Sequence, residues 1–570
     1  MTVPLVEVQT LPELLTTSAV RNADRLAVRA PWQGNLERVT FREQLERAAG
    51  VAERLASDVD RGDFVLIGGR NSIAWVSAFF GTLLRGAIPV PLDTEMPSDA
   101  LASILAELRP RAVVGDDEFL GRIDGAGGTR IRLDDLHDWP PSAEVPPLSP
   151  PPAPDDLAIM LYTGGTTGVP KGVMLSHRNV IAGANAAIDA AGLRDDDALF
   201  VVLPLFHVFP LVVGCLTPWA AGIPVELEYR LTRIADRAAE TPPTIVLAVP
   251  ALLEALLRTI ERNARGGLKG FYFNAAARLN ELSIRTTGVN LGRILFRPIQ
   301  QALGGRLRYL VSGGARLDPA VHRRLIALGL PTIQGYGLSE AAPVVAVQRF
   351  HDREFWWRGR RYWRRIGSVG TQLLGVAVTI EPIEELDPGE GELVVRAPNV
   401  MLGYYQRPAE TAARMRDGAL YTGDVARIDR DGDIWITGRA SLVISMPNGK
   451  QVNLETMEAE LTGAPELAQV RLVVEQEPTW KLVAVTFPAV DTLEAGATDA
   501  ESLQRLVREA FRRQSRGFPS WLRVDEIRLV DKPLPVTRLG KVRRIDLPAG
   551  PFDFDRWRAE AERVASPAPG

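Results

Sequence analysis

Short apolar runs alternate along this chain with longer stretches in which apolar positions recur at helical spacing. FVLIGG (64–69) is followed by NSIAWVSAFFGTLLRG, then IPVPL, then PSDALASILAELRP, then AVVG. The same alternation returns at ALFVVLPL (198–205), TIVLAVP (244–250) and RLRYLVSGG (306–314), each leading into a helical pattern. Apolar runs of strand length separated by amphipathic helices predict a parallel α/β sheet, and their recurrence predicts more than one. Between 372 and 437 the pattern changes to short strands broken by turn signals, DPGEGELVV and DRDGDIWITG, which predicts a β-rich subdomain. Beyond Arg439 it changes again, to the strands LVISM, VRLVVEQ and KLVAVTFP and the helix ESLQRLVREAFRRQ, a small α+β unit.

A chain of 570 residues exceeds the roughly 250–300 that one core can serve, so several domains are expected. The predicted fold class is α/β, with a large N-terminal domain of doubly wound sheets (1–440, including the β-rich 372–437). A small mobile α+β C-terminal domain (441–550) and a tail (551–570) follow. The proline-rich DWPPSAEVPPLSPPPAPDD (138–156) reads as an exposed connector within the large domain.

Composition adds exclusions. A net charge of −4 gives no reason to expect nucleic acid as a partner. The single cysteine, Cys215, excludes an internal disulfide or a cysteine zinc cluster, and its apolar setting marks it as buried filler. The apolar stretch 198–225 is interrupted by Pro204, Pro210, Pro218 and Pro224, so it reads as buried strand and short helix, with no transmembrane segment. MTVPLVEVQTLPELL lacks a basic leader and carries Glu7 and Glu13, and the expected location is cytoplasmic. RFHDREFWWRGRRYWRR (349–365) interleaves arginine with aromatics; such a mix suits phosphates, nucleic acid or a membrane surface, or a surface loop whose stems pack on aromatics.

Only six of the 66 basic residues are lysines (171, 269, 450, 481, 532 and 541), so lysine marks sites where arginine's planar fork would not serve. Lys171 closes YTGGTTGVPKG (162–172), in which Thr163, Gly164, Gly165, Thr166, Thr167 and Gly168 offer amides and hydroxyls for phosphate. The spacing is not that of a Walker A loop. YLVSGGARL ends a strand in Gly313, Gly314 and Ala315, where a flat ring can approach backbone. QGYGLSE offers Tyr336 between Gly335 and Gly337 as a stacking face, then Ser339 for phosphate and Glu340 for Mg²⁺. Asp424 ends YTGD, Arg439 follows in GR, and Lys541 sits in PVTRLGKVRR.

Together and in this order, these motifs resemble the acyl-adenylate-forming (AMP-binding) ligase superfamily, over roughly residues 10–550. GGTTG, LPLFHVF (203–209) and ALGGRLRYLVSGGARL (302–317), with the helical stretch 262–303, are similar to long-chain fatty acyl-CoA synthetases. The resemblance implies ATP-dependent activation of a hydrophobic carboxylic acid to acyl-AMP, then transfer to CoA, with ATP, Mg²⁺ and CoA as cofactors. It implies Thr163–Lys171 as the phosphate loop, and Gly313, Gly314 and Ala315 lining the adenine site and acyl tunnel. Tyr336 would stack on adenine, Ser339 would meet the α-phosphate, and Glu340 would hold Mg²⁺. Asp424 and Arg439 would hold the ribose, Lys541 would be the adenylation lysine, and His207 would lie at the acyl pocket. Gly449 and Lys450 would fall at the CoA strand and Ser441 at the hinge about which the small domain swings.

The chain departs from the family pattern in the half needed for thioester formation. The hinge reads GRASLVIS, with Leu442 where an aspartate is usual, and GKQVNLETMEAE has Leu454 for proline and Thr456 for the first glutamate. One alternative follows, an adenylating enzyme that hands acyl-AMP to a separate thiolation partner or carrier; a second, a nucleotide-binding pseudoenzyme, is opposed by the intact Glu340, Lys171 and Lys541. Apolar residues from 207 to 225 and small residues in GANAAIDAAG (183–192) suggest a roomy pocket for a fatty or bulky hydrophobic acid.

Overall fold

The computed structural model describes residues 2–123, 128–164, 170–230, 233–264, 266–349, 352–357, 359–383, 386–445, 451–475, 481–518, 523–535 and 551–565. Gly165, Thr166, Thr167, Gly168, Gly449, Lys450 and Lys541 lie outside them, and of Ser441 only the backbone is described. The chain divides into two compact units, one of Met1–Thr379, Val394–Tyr421 and Asp429–Trp435, the other of Ile380–Leu393, Thr422–Ile428 and Ile436–Gly570.

In the larger unit the predicted alternation forms two sheets, both flanked by helices. The four-stranded one runs Ile88–Leu92, Phe64–Gly68, Ala112–Gly115, Thr129–Arg132, parallel throughout. The helix Ile73–Leu84, capped by the Ser72 hydroxyl, is buried along its whole length, which explains why its sequence is apolar all round. The larger sheet has nine strands among the described residues. Its order is Thr371–Gln372, Ala346–Val347, Thr332–Tyr336, Tyr309–Ser312, Ile245–Ala248, Leu199–Val201, Val225–Leu227, Leu26–Trp32, Asn35–Thr40. The pairs from Thr332–Tyr336 through Leu26–Trp32 are parallel, and both edges are antiparallel. A third sheet is a hairpin, Leu157–Gly164 against Pro170–Ser176, extended by Gly403–Tyr404.

The apolar stretch 198–225 resolves into strand Leu199–Val201, helix Val208–Leu211, a π-turn Val212–Leu216 and helix Thr217–Ala221. Cys215 is buried there, and burial pushes its thiol up to about 12, so it is inert filler. No helix among the described residues is long and apolar enough to cross a membrane. Residues 349–365 are not a plain surface loop: Asp352–Trp357 and Gly359–Arg365 are short helices, anchored by buried Phe355 and Tyr362.

The smaller unit has strands Leu467–Glu475 and Lys481–Pro488 antiparallel, with Glu526–Leu529 parallel to the second. Its core is filled from Leu454–Leu461 and Ala500–Gln514 by Met457, Leu461, Leu503, Val507 and Phe511. Two features differ from the sequence reading. The segments 380–393 and 422–428 group with this unit, and its main segment starts at Ile436. The chain beyond 550 is not simply a tail: Phe554–Ala565 is a helix whose Trp557 and Ala561, four residues apart, are buried in that core.

Two buried histidines make the larger unit sensitive to acid. His177 Nδ1 accepts the Leu11 amide at 3.1 Å, and His322 Nε2 lies 2.9 Å from the Thr332 carbonyl oxygen. Burial lowers both rings to about 4. The unfolded chain binds protons near pH 6.5 and the native rings near 4, so stability carried by the neutral rings is full above about 6.5. It is lost as pH falls toward 4, by up to about 3 kcal/mol per ring. The thermal midpoint is therefore expected to fall between pH 7 and 5, and to fall less in His177→Gln, whose amide oxygen can accept the same bond. A wild-type midpoint level across that range would mean both rings are accessible.

Candidate active site

The hairpin sets the first part of the site. Its register places Thr163 opposite Lys171 and Gly164 opposite Pro170, so the Gly/Thr loop springs from a fixed two-stranded base. The base is held from two directions by residues 401–407. The Tyr405 amide donates to the Gly172 carbonyl at 2.8 Å and the Leu402 amide to that of Met174 at 2.9 Å. Tyr162 donates its hydroxyl to Glu107 at 2.9 Å, and Arg407 pairs with the same carboxylate at 3.0 Å. Burial, then the bond to Glu107, raises the Tyr162 phenol far above its ordinary range, so it remains a donor.

Glu340 is brought to the same place from the end of the large sheet. Strand Thr332–Tyr336 leads into Gly337 and the turn Ser339–Ala341. A Cβ on Gly337 would lie 1.5 Å from the Pro343 carbonyl oxygen, and one on Gly183 would lie 2.0 Å from that of Ala342. Both glycines permit close backbone approach, so Gly183 serves helix packing and not the roomy pocket its small side chain suggested. Asn399, itself buried, donates to the Ala341 and Val344 carbonyls, and the Met401 amide donates to the Glu340 carbonyl at 2.9 Å.

Tyr404 joins the two halves. Its hydroxyl donates to Glu340 Oε1 at 2.7 Å, and the Lys171 ammonium lies 5.5 Å from the centre of its ring. Burial, then the Glu340 charge, holds the Tyr404 phenol well above its usual range, fixing it as the donor and the glutamate as the acceptor. A cation and a carboxylate from distant segments thus share one tyrosine. A single carboxylate suits Mg²⁺, which takes its other oxygen ligands from phosphate and water. Among the described residues no cluster of three His, Cys, Asp or Glu side chains forms a cage for a metal.

The glycine-rich strand end falls in the same unit. Gly313 and Gly314 follow Tyr309–Ser312 directly, the Gly313 amide donates to Ala248, and Gly313 lies against the Phe209 ring, next but one to His207. The His207 and Phe206 rings are 4.3 Å apart. In the smaller unit Arg439 Nε meets Asp424 Oδ1 at 2.6 Å, with the aspartate buried. Asp424 is seated by its amide on the Thr422 hydroxyl, which in turn donates to the Leu393 carbonyl at 2.7 Å. The sequence motifs flagged neither Tyr404, Arg407, Glu107 nor Asn399. MLGYYQRP carries no periodicity, and its contacts with Glu340 and Glu107 are long-range.

Comparison with known proteins gives the family and the fold. The AMP-binding enzyme family's profile matches residues 15–405. A long-chain-fatty-acid–CoA ligase of Mycobacterium bovis is 30% identical over 476 residues, covering 77% of this chain and 76% of its own. A feruloyl-CoA synthase of Amycolatopsis is 29% identical over 466 residues, covering 79% and 84%. The o-succinylbenzoate coenzyme A synthetase of Bacillus subtilis, solved with ATP and magnesium ion, shares the fold. Its TM-score is 0.73 at 20% identity, over 94% of this chain and 99% of that one.

Proposed function

This chain belongs to the AMP-binding enzyme family, and from that premise we propose that it is an AMP-forming acid–thiol ligase acting on a hydrophobic carboxylic acid. The acid's carboxylate attacks the α-phosphorus of ATP and pyrophosphate leaves. The CoA thiolate then attacks the acyl carbon and AMP leaves. The observation that carries the reading is the meeting of Lys171 and Glu340 at Tyr404, whose ring lies near the ammonium and whose hydroxyl bonds a carboxylate suited to a hard divalent cation.

The first step brings two anions together, so catalysis is mainly positioning and charge neutralisation. Thr163, Thr166, Thr167, the amides of Gly164, Gly165 and Gly168, and the Lys171 ammonium would grip the departing diphosphate. Mg²⁺ held by Glu340 would supply further neutralisation there. Gly313, Gly314, Ala315 and Tyr336, with Gly335 and Gly337 shaping its turn, would take the adenine, and Ser339 the α-phosphate. Asp424 would take the ribose, sharing its carboxylate with Arg439. Lys541 would bridge the attacking carboxylate and the α-phosphate. Gly449 and Lys450 would serve CoA, and His207 the acyl chain.

Pyrophosphate release on adding Mg-ATP to a panel of fatty and aromatic acids tests the reading; release with none of them, beyond ATP alone, would contradict it. Tyr404→Phe removes a hydrogen bond to a carboxylate, of the kind worth about 1.5–3 kcal/mol. We expect pyrophosphate release to fall about ten-fold or more and half-saturation by Mg²⁺ to rise, beside the modest fall in thermal midpoint that the lost bond brings. A rate loss with unaltered Mg²⁺ dependence would leave Tyr404 with a packing role only. The departures at Ser441, Leu442, Leu454 and Thr456 bear on the second step, and the ratio of thioester to acyl-AMP formed with CoA present separates a complete ligase from one that relies on a thiolation partner.

A further inference from the structure

Glu107 is an unusual residue for its place in the helix Ser98–Leu108. That helix turns Leu101, Ile104 and Leu108 into the core, and Glu107 follows Ile104 by three residues, at the edge of the apolar face. Its side chain is only 11% exposed. Burying a carboxylate is costly unless it is paired and hydrogen-bonded, and an apolar residue would fill the space without that cost. What the charge holds is therefore informative.

Each carboxylate oxygen holds a different segment. Oε2 accepts the Tyr162 hydroxyl at 2.9 Å, and Oε1 meets the Arg407 guanidinium at 3.0 Å. Tyr162 directly precedes Thr163, whose partner across the hairpin is Lys171. Its own partner there is Gly172, where a Cβ would lie 2.8 Å from Met160 Sδ and 3.3 Å from Tyr162 Cζ. Glycine thus leaves the phenol ring room to lie across the strand. Arg407 follows Tyr404 in a turn closed by its own amide on the Tyr404 carbonyl at 3.2 Å. Gln406 in that turn is left-handed, with φ 50°, a conformation that a residue other than glycine keeps only where its surroundings impose it.

One carboxylate therefore ties the strand that leads into the Gly/Thr loop to the turn that follows Tyr404, and Tyr404 in turn bonds Glu340. From this we infer that Glu107 is a positioning residue for the β- and γ-phosphates of ATP. It fixes the separation between the Lys171 side of the site and the Tyr404–Glu340 side, so that both address the same diphosphate. The inference rests on reading Thr163–Lys171 as the phosphate loop. It also makes a distinction that packing alone does not. AMP lacks the two outer phosphates, so its binding draws nothing from that separation, whereas the binding of Mg-ATP does.

The test is titration calorimetry of the full chain with Mg-ATP and, separately, with AMP, beside pyrophosphate release with a panel of acids. In Glu107→Ala the Kd for Mg-ATP is expected to rise about ten-fold or more, while that for AMP stays within about two-fold of wild type. Glu107→Gln keeps an oxygen for the Tyr162 hydroxyl and should recover most of the loss. Tyr162→Phe opens no cavity and leaves the Glu107–Arg407 pair in place; it should show the same split by a smaller factor, and it decides the matter if the alanine variant does not fold. Equal weakening of both nucleotides would reduce Glu107 to a structural role, and unchanged Mg-ATP binding would overturn the inference outright. A wild-type chain that binds Mg-ATP yet releases no pyrophosphate with any acid would sink the ligase reading instead, and the two binding constants would still decide the role of Glu107.

Discussion

Lys541→Ala is expected to slow acyl-adenylate formation by ~10²–10³, the loss that follows removal of one preorganised charge donor, roughly 2.7–4 kcal/mol. The barrier is the approach of a carboxylate to a triphosphate, two groups of like charge. An ammonium touching both partners lowers it only while they come together. Alanine therefore removes stabilisation from the transition state more than from bound ATP, so kcat should fall more than KM rises. Once acyl-AMP exists the same cation has no attacking carboxylate to steer. Thioester formation from supplied acyl-AMP and CoA should consequently survive far better than pyrophosphate release in single turnover. Pyrophosphate release near the wild-type rate would remove Lys541 from its role.

Glu340→Gln should cost about as much, ~10²–10³ in pyrophosphate release, through a different loss. The amide keeps the shape, and its oxygen can still accept the Tyr404 hydroxyl that now sits at 2.7 Å. What disappears is the negative charge that attracts a hard cation. The expected signature is half-saturation by Mg²⁺ at much higher concentration, with a thermal midpoint close to wild type. Full activity at unchanged Mg²⁺ dependence would place the metal elsewhere.

How much of this was legible in the sequence follows from how local each signal is. Phe64–Gly68, Ile88–Leu92 and Ala112–Gly115 announced themselves because parallel strands buried on both faces are apolar without interruption. Lys171 and Glu340 were legible because chemistry restricts what surrounds them to glycine, threonine and tyrosine over a few residues. Tyr404 was not, because a tyrosine in a short strand carries no mark of the carboxylate it will meet 64 positions away. The same limit applies to the assignment of 380–393 and 422–428 to the smaller unit, which depends on pairing such as Thr422 with Leu393. Trp557 in the last helix shows a further limit. A polar, arginine-rich context around one tryptophan and a few alanines reads as a loose end until the core that receives them is known.

The central claim is that the substrate's own carboxylate displaces pyrophosphate from ATP, and isotope transfer reads that bond directly. With both carboxylate oxygens of an accepted acid labelled as ¹⁸O, one turnover in the presence of CoA is predicted to leave one labelled oxygen on AMP, because thiolysis breaks the bond on the acyl side. Unlabelled AMP, or label recovered in inorganic phosphate beside ADP, would contradict it.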